Sequence, residues 1–568
     1  MRTLLTKTHA ERAGYALLMV VFLAALAVMA VGGALTWTSS SRRATVRNNL
    51  YYSSVAAAEA ATEKAVGLMA YDFRQGDQSK IWSSLTTYRA AVPTTAEDAS
   101  WSGYTFQDLA GNSGVLTVTN TTLFAFTNLV GQYKNLRGVA GTFQVAAKAV
   151  NSSGTEIVPA AVQQEVQLAT IPVFQFAIYY NILMEISCGQ TFNIWGPVHA
   201  NQDMYVEPDS TMVFWDDVGA VGSINFSRAP GDGRTPPSGT VTYKGSHTAG
   251  MGSLSLPIGT NNSAAAIAAL LDPPPTNEVA TSAMGKQRFY NKADMIITVS
   301  NSTITASSGI ANSLTVITNA LPFITTNSSF TDARESKTVK AINIDIGKFT
   351  TWNSTNTSLR TLEGKPVGTL YVVDKRTGLT STQLGAVRLT NGVVIPSTGL
   401  TVVTPQPLYI DGNYNCFNTN GLGSTNTTYS YPAAVMADAI TILSGNWTDG
   451  NSTAAVGSRN ATPTTVNAAF LTGEVETSVH GSYSGGAENF PRFLETWGSA
   501  NTFTYNGSMV AMFGSRYATN AWGQSNVYGP PARNWTYDRN FNDPAKLPPS
   551  TPSVSTLIRS HWARLSTH

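Results

Sequence analysis

From Tyr15 to Trp37 the chain runs for 23 residues, YALLMVVFLAALAVMAVGGALTW, without one charged side chain. As a helix this run is long enough to cross the ~30 Å hydrocarbon layer of a bilayer. A secretory leader has a shorter apolar core, ~7–15 residues, followed by a small-x-small cleavage site. Here Gly32, Gly33 and Ala34 lie inside the run, and Leu35, Thr36 and Trp37 follow them. Arg2, Lys7 and Arg12 precede the run and Arg42, Arg43 and Arg47 follow it. Flanking charge therefore does not orient the span.

The helical pattern continues past the run. Residues 39–73 contain no proline and one glycine, and they are rich in alanine, the best helix former. Leu50, Val55, Glu59, Thr62, Val66 and Met69 fall at steps of three to five along one side. Residues 15–73 read as one helix, apolar in its first half and amphipathic in its second.

This arrangement resembles the N-terminal helix of type IV pilins and pseudopilins. The residues that carry the likeness are Arg12-Ala13-Gly14 followed by Tyr15-Ala16-Leu17-Leu18-Met19, and the run AAAEAATEKAV at 56–66, which is similar to that of PilX-like minor pilins. The resemblance implies a basic leader, 1–14, cut between Gly14 and Tyr15 by a prepilin peptidase. It implies a transmembrane and amphipathic helix over 15–75 that anchors in the inner membrane. The partners implied are other minor pilins or pseudopilins and their assembly platform. Major pilins carry Glu at mature position five, and here that position is Met19. The pseudopilin thought to cap filament tips also lacks that Glu, so Met19 fits a minor, tip-located subunit. An uncleaved signal anchor is the other reading.

Beyond Phe73 the texture changes. Residues 76–175 read as a small α+β domain. Within it, two alternating runs around Asn151-Ser152-Ser153-Gly154 predict a β-hairpin. In 176–515 short apolar triplets such as Phe192/Ile194, Met204/Tyr205/Val206 and Met212/Val213/Phe214 alternate with turns every 8–12 residues. Strands this short suit a solenoid of stacked coils; a β-sandwich is the alternative. The expected solenoid is split into 176–227 and 339–515, with an insertion at 228–338 that holds a helix near SAAAIAALLD. Residues 516–568 read as an extended, Pro-rich strap laid over the body by Trp535, Tyr537 and Phe541. The fold class is thus α+β, mainly β. The body also resembles the large C-terminal regions found behind PilX-like leaders, through GPVHANQDMYV (196–206), GLTVVTPQPLYIDGNYN (399–415), GGAENFPRFLETW (485–497) and VYGPPARNWTYDRNF (527–541). That likeness adds no reaction.

Chemistry is sparse. Charged residues make up 12% of the 568 and the net charge is +2, which argues against a nucleic-acid partner. Cys188 and Cys416 cannot form a zinc site alone. In an oxidising compartment they either pair across the body or remain two unrelated buried thiols. His199 lies near Asp203 with no evident nucleophile, so a turn histidine is the ordinary reading. Asp216, Asp217 and Asp345 are the best carboxylates, and Asp in short turns is usually a cap. GAVGS (219–223) and YSGGAENF (483–490) lack a phosphate-loop Lys-Ser/Thr, and EPDST (207–211) and DGNYN (411–415) lack the EF-hand pattern. No catalytic residue, cofactor or metal is expected.

The expected function is structural: a minor pilin-like subunit presenting a β-rich body, in the periplasm or outside, for assembly, adhesion or recognition, surface glycans included. The alternative is a membrane-tethered β-helix polysaccharide lyase or hydrolase. A groove with clustered carboxylates and a Lys or Arg would favour the enzyme; one lined by Asn, Thr and aromatics would favour a binding body. An anchored envelope protein with no filament role is the third reading.

Overall fold

The computed structural model describes residues 10–76, 78–152, 157–259, 261–308, 315–317, 320–356, 363–520, 522 and 526–566, with backbone alone for 10–14. One helix, α1, runs unbroken over Ala10–Gln75. Residues 1–9 of the expected leader fall outside the described residues; the expected cleavage site, Gly14-Tyr15, lies on α1, with Tyr15 exposed.

The two halves of α1 live in different surroundings. Every residue from Tyr15 to Asn49 is exposed, although this stretch holds the most apolar window of the chain. Three of its threonines turn their hydroxyls back on the helix: Thr36 donates to the Gly32 and Gly33 carbonyls, Thr38 to that of Ala34 and Thr45 to that of Ser41. That satisfies them without water. By length and composition this helix can cross a membrane.

The second half is the spine of a small domain. Val55, Ala58, Ala61, Ala65, Val66, Met69 and Phe73 are buried, one row at helical spacing. Alanine at 58, 61 and 65 lets the helix sit close on the sheet beneath, where Phe143, Val145, Val162 and Val166 receive it. Glu59, expected on this row, is exposed; Ala58 takes the inward position.

The sheet is built on a hairpin of β3 (Arg137–Asn151) and β4 (Val158–Pro172), in antiparallel register from Asn151 opposite Val158 to Val139 opposite Thr170. Ser153 and Gly154 of the expected turn lie outside the described residues. β1 (Tyr104–Gln107) and β2 (Thr117–Asn128) share the other edge of β3. The free edge of β4 is taken by the far end of the chain, Ser553–Leu565, again antiparallel. Arg559 of that strand donates to both carboxylate oxygens of Glu63 on α1 (2.7 Å each) and to Gln164 on β4. Within 516–568, Ala532–Tyr537 and Ser553–Leu565 are both paired strands. Trp535, Tyr537 and Phe541 are buried as expected.

The body carries several sheets of short strands in mostly parallel register. Ile178 pairs with Val198 and Val198 with Val218; Met184 pairs with Met204 and Met204 with Ile224. Each of these four pairings joins residues 20 apart in sequence, so like positions stack, and Ile178, Val198, Val218, Met184 and Met204 are buried. Phe192–Ile194, Thr211–Phe214 and Thr240–Tyr243 form a third such row. The later chain repeats the scheme in a row of Lys337–Asp345, Gln383–Thr390, Leu408–Asp411, Ile440–Leu443 and Arg492–Phe493, and in another of Thr464–Asn467, Thr502–Gly507 and Ala532–Tyr537. Asparagine side chains tie neighbouring segments together. Asn415 and Asn467 each donate to the other's carbonyl at 2.9 Å, and Asn506 donates to Asn467 at 2.6 Å.

The early and late parts share one twelve-stranded sheet. Its joint is the pairing of Met509–Ala511 with Ile178–Tyr180. Within 228–338, His247–Thr248 pairs with the early strands and Met295–Val299 with Leu370–Asp374 of the late ones. The stretch also holds the helix Ala264–Ala268, whose cap Ser263 accepts from the Ala266 amide.

Candidate functional site

The aspartates singled out from sequence are rung connectors between adjacent rows. The Asp203 carboxylate accepts from the Ser223 amide, Asp216 from the Gly196 amide, and Asp217 from the amide and hydroxyl of Ser246. Asp345 caps the helix Ile346–Thr355 by accepting from the Lys348 amide. Carboxylates so engaged are turn and cap residues. Gly196 explains why that turn tolerates no side chain: its φ is +89° and a Cβ would strike the Tyr537 ring at 2.7 Å.

His199 is 1% exposed and stacks on Tyr179 at 5.7 Å between ring centres. Its Nε2 lies 3.1 Å from Asn201 Oδ1. Burial lowers its pKa to about 4, so the imidazole is neutral and packed. Cys188 and Cys416 are both buried free thiols. The pairing expected as one option is not made. Burial pushes each up to about 12, which makes both unreactive.

A cluster that sequence reasoning missed lies where the early rows meet the 228–235 turn. Glu185, Glu207 and Asp232 bring one oxygen each within 4.8 Å of one another. Two arginines of that turn answer them. Arg234 Nη2 stands 2.6 Å from Asp232, 3.2 Å from Glu207 and 3.9 Å from Glu185, and its guanidinium lies 3.4 Å over the Tyr483 ring. Arg228 donates to Glu207, to Asp209 at 2.6 Å and to Ser187. Glu488 accepts from the Ser187 amide at 2.9 Å. Burial, with Glu488 and Asp232 nearby, pushes Glu185 up to about 7, and its Oε1 has no hydrogen-bond partner. Burial and Glu185 likewise raise Glu207 to about 9. This set has the composition of an acid–base or cation site. Its centre, however, is filled by the Arg234 guanidinium, which serves as the counter-charge where a metal or substrate would sit. A faint sequence signal existed: Glu185 is an acid inside the apolar run NILMEISCG of a chain poor in charge.

Two clefts have a different character. One, about 630 Å³, is walled by Asn413, Thr464, Thr465, Thr502, Thr504 and Asn534, with Arg533 at its side. The other, about 430 Å³, is walled by Thr398, Thr427, Thr428, Ser430, Tyr431 and Asn540, among others. Both border the 413–432 segment. The larger cleft has Asn and Thr but no aromatic residue, and the smaller has Tyr431 and Phe541 beside Asp538 and Lys546.

No family model matches the chain, and no curated protein matches it. Among solved structures, the competence-associated pilin ComZ from Thermus thermophilus aligns with 88% of this chain and 98% of that one, at 12% identity and a TM-score of 0.26. A score that low carries no argument about the fold or function of this chain.

Proposed function

We propose that this protein is a minor pilin-like subunit: α1 anchors it in the inner membrane, joins a filament of related helices, and presents the β-rich body for assembly, adhesion or recognition. The observation that carries the reading is α1 itself. One unbroken helix is wholly exposed and apolar through its first half and is the buried spine of a domain through its second. A plain signal anchor needs only the span; here the same helix continues from the span into the core of the domain. The body is read as a β-solenoid, because its short strands pair in parallel register, unlike the antiparallel sheets of a sandwich. The protein is read as structural rather than catalytic, since the acidic cluster that holds arginines is closed by Arg234.

The test is the N-terminus of the protein purified from its own cells, by mass spectrometry. The expected chain begins at Tyr15, after removal of the leader ending in Gly14. A chain that begins at Met1 overturns filament assembly and leaves an anchored envelope protein.

A further inference from the structure

We propose that the early end of the β-rich body is an interface at which two copies of this chain meet face to face. The proposal rests on the reading of the body as a stack of parallel rungs, and it stands on how that stack ends. Its last strands are Ile224–Asn225, Thr240–Tyr243 and His247–Thr248. Each is paired along one edge, with Met204–Val206, Thr211–Phe214 and Val218–Ala220 respectively. Among the described residues no strand pairs with their other edges. Thr240 and Lys244 donate their amides to the Ser210 and Phe214 carbonyls. Hydrogen bonding alternates along a strand, so the amides and carbonyls of Val241 and Tyr243 point out of the free edge. The side chains are equally unfinished. Val241 continues the column of Met212, Tyr243 that of Phe214, His247 that of Val218 and Ile224 that of Met204. Those four predecessors are buried, whereas Ile224, Val241 and Tyr243 are half-buried and Phe226 is 55% exposed. Tyr243 stacks on Phe214 at 5.2 Å and His247 on Tyr243 at 4.4 Å between ring centres. An interior column is thus left open to solvent beside unpaired backbone, a surface that calls for a covering strand.

Three features point to a second copy as the cover. The far end of the same stack is closed. Ile324–Asp332 lies antiparallel on Lys337–Asp345, and Ile304–Ser308 and then Thr315–Ile317 lie antiparallel beyond Met295–Val299. Head-to-tail stacking is thereby blocked, and two early ends that meet give a closed pair rather than a fibre. The early end also offers three edges at once, and a second copy carries a rung of the same cross-section that matches all three together. Finally, the end is nearly free of charge. Within 223–226 and 239–248 the one Lys, Arg, Asp or Glu is Lys244, whose amine lies 5.9 Å over the Trp215 ring, on the other face of the strand from Tyr243. Two such ends approach without a like-charge penalty. A two-fold axis through Thr242 pairs Thr240–Tyr243 antiparallel with its own copy, and Val241 of each chain exchanges hydrogen bonds with Tyr243 of the other. The same axis sets Ile224–Asn225 of each copy against His247–Thr248 of the other.

The experiment is sedimentation equilibrium of the full chain in a non-ionic detergent matched to the density of the solvent, so that the mass read is that of the protein. A monomer–dimer equilibrium is expected. Val241→Asp alters a side chain that is half exposed in the single chain, so the fold tolerates it, but it buries an unpaired charge in the contact. It should weaken the dimer at least about hundredfold. Thr242→Cys sets two α-carbons ~4.5 Å apart across the axis, a separation that a disulfide spans. Oxidation by air with copper phenanthroline should then give a covalent dimer, and the parent, whose Cys188 and Cys416 are buried, should give none. In the unaltered chain the amides of Val241 and Tyr243 should exchange more slowly in the dimer than in the monomer, a readout that needs no variant to fold. The proposal is overturned if the chain stays monomeric up to ~0.1 mM, if Val241→Asp leaves the dimer as tight as before, which would place the association in α1, if Thr242→Cys gives no covalent dimer, or if those two amides exchange alike in both states. An N-terminus at Met1 sinks the filament reading without touching this result, and a monomeric chain leaves the filament reading as it stands.

Discussion

At the scale of single residues, the sharpest consequence belongs to Glu185. Its carboxyl is buried, has one oxygen without a partner, and titrates at about 7 against an ordinary 4.5. Between those values the folded chain holds a proton that the unfolded chain has released. The associated stability is complete below about 4.5 and is lost as pH rises through about 7. Glu185→Gln keeps the neutral shape at every pH. The melting temperature of the variant should therefore fall less than that of the parent between pH 6 and pH 8, measured by calorimetry in matched buffers. Equal slopes would show that Glu185 is ionised in the fold across the whole range. Asp203, Asp216 and Asp217 were visible as turn residues, and turn residues are what they are. The cluster of Glu185, Glu207, Asp232, Arg228 and Arg234 was not visible as a cluster. Its members sit on separate turns and strands, and their meeting depends on how rows stack rather than on any local pattern.

At the scale of elements, what could be read was local and periodic. The continuity of α1 from span to amphipathic half follows from alanine content and helical spacing, and the hairpin of β3 and β4 follows from alternation on both sides of a turn. The triplets of the body were legible because each strand buries alternate residues. The role of Ser553–Leu565 was not. It reads as a loose tail because its pattern is mixed, and only the free edge of β4 gives it a partner. Val554 and Ile558 are buried there, at 0% and 3% exposure. Ile558→Ala should cost about 3 kcal/mol of stability, read as a shift in the urea midpoint of a chain purified in detergent. A shift near zero would mean that this strand is peripheral to the domain it completes in the structure.

At the scale of the whole molecule, the short-strand texture was legible in both 176–227 and 339–515 of the sequence. That the two parts are one sheet was not, because nothing near Ile178 or Met509 signals the other. This pairing makes a prediction of its own. With Met509–Ala511 seated against Ile178–Tyr180, and with one hydrophobic core running through both parts, the body has no internal boundary at which to melt in stages. Calorimetry should show a single cooperative transition for the body. Two resolved transitions, one abolished by disrupting residues 178–225, would mean that the early rows fold independently.

The path of the chain also fixes an order in time. The edge at Ile178–Tyr180 is made early, and its partner, Met509–Ala511, emerges only when most of the chain has been made. At ~5–20 residues per second that is a wait of roughly 20 to 70 seconds. The edge of β4 waits longer still, for Ser553–Leu565. A product that stops short of its last strands leaves both sheets open, and open edges invite aggregation or capture by quality control. Synthesis through Ser553–Leu565 is thereby a condition for closing both of these early-made seams. A molecule closed along both has been translated at least as far as Leu565.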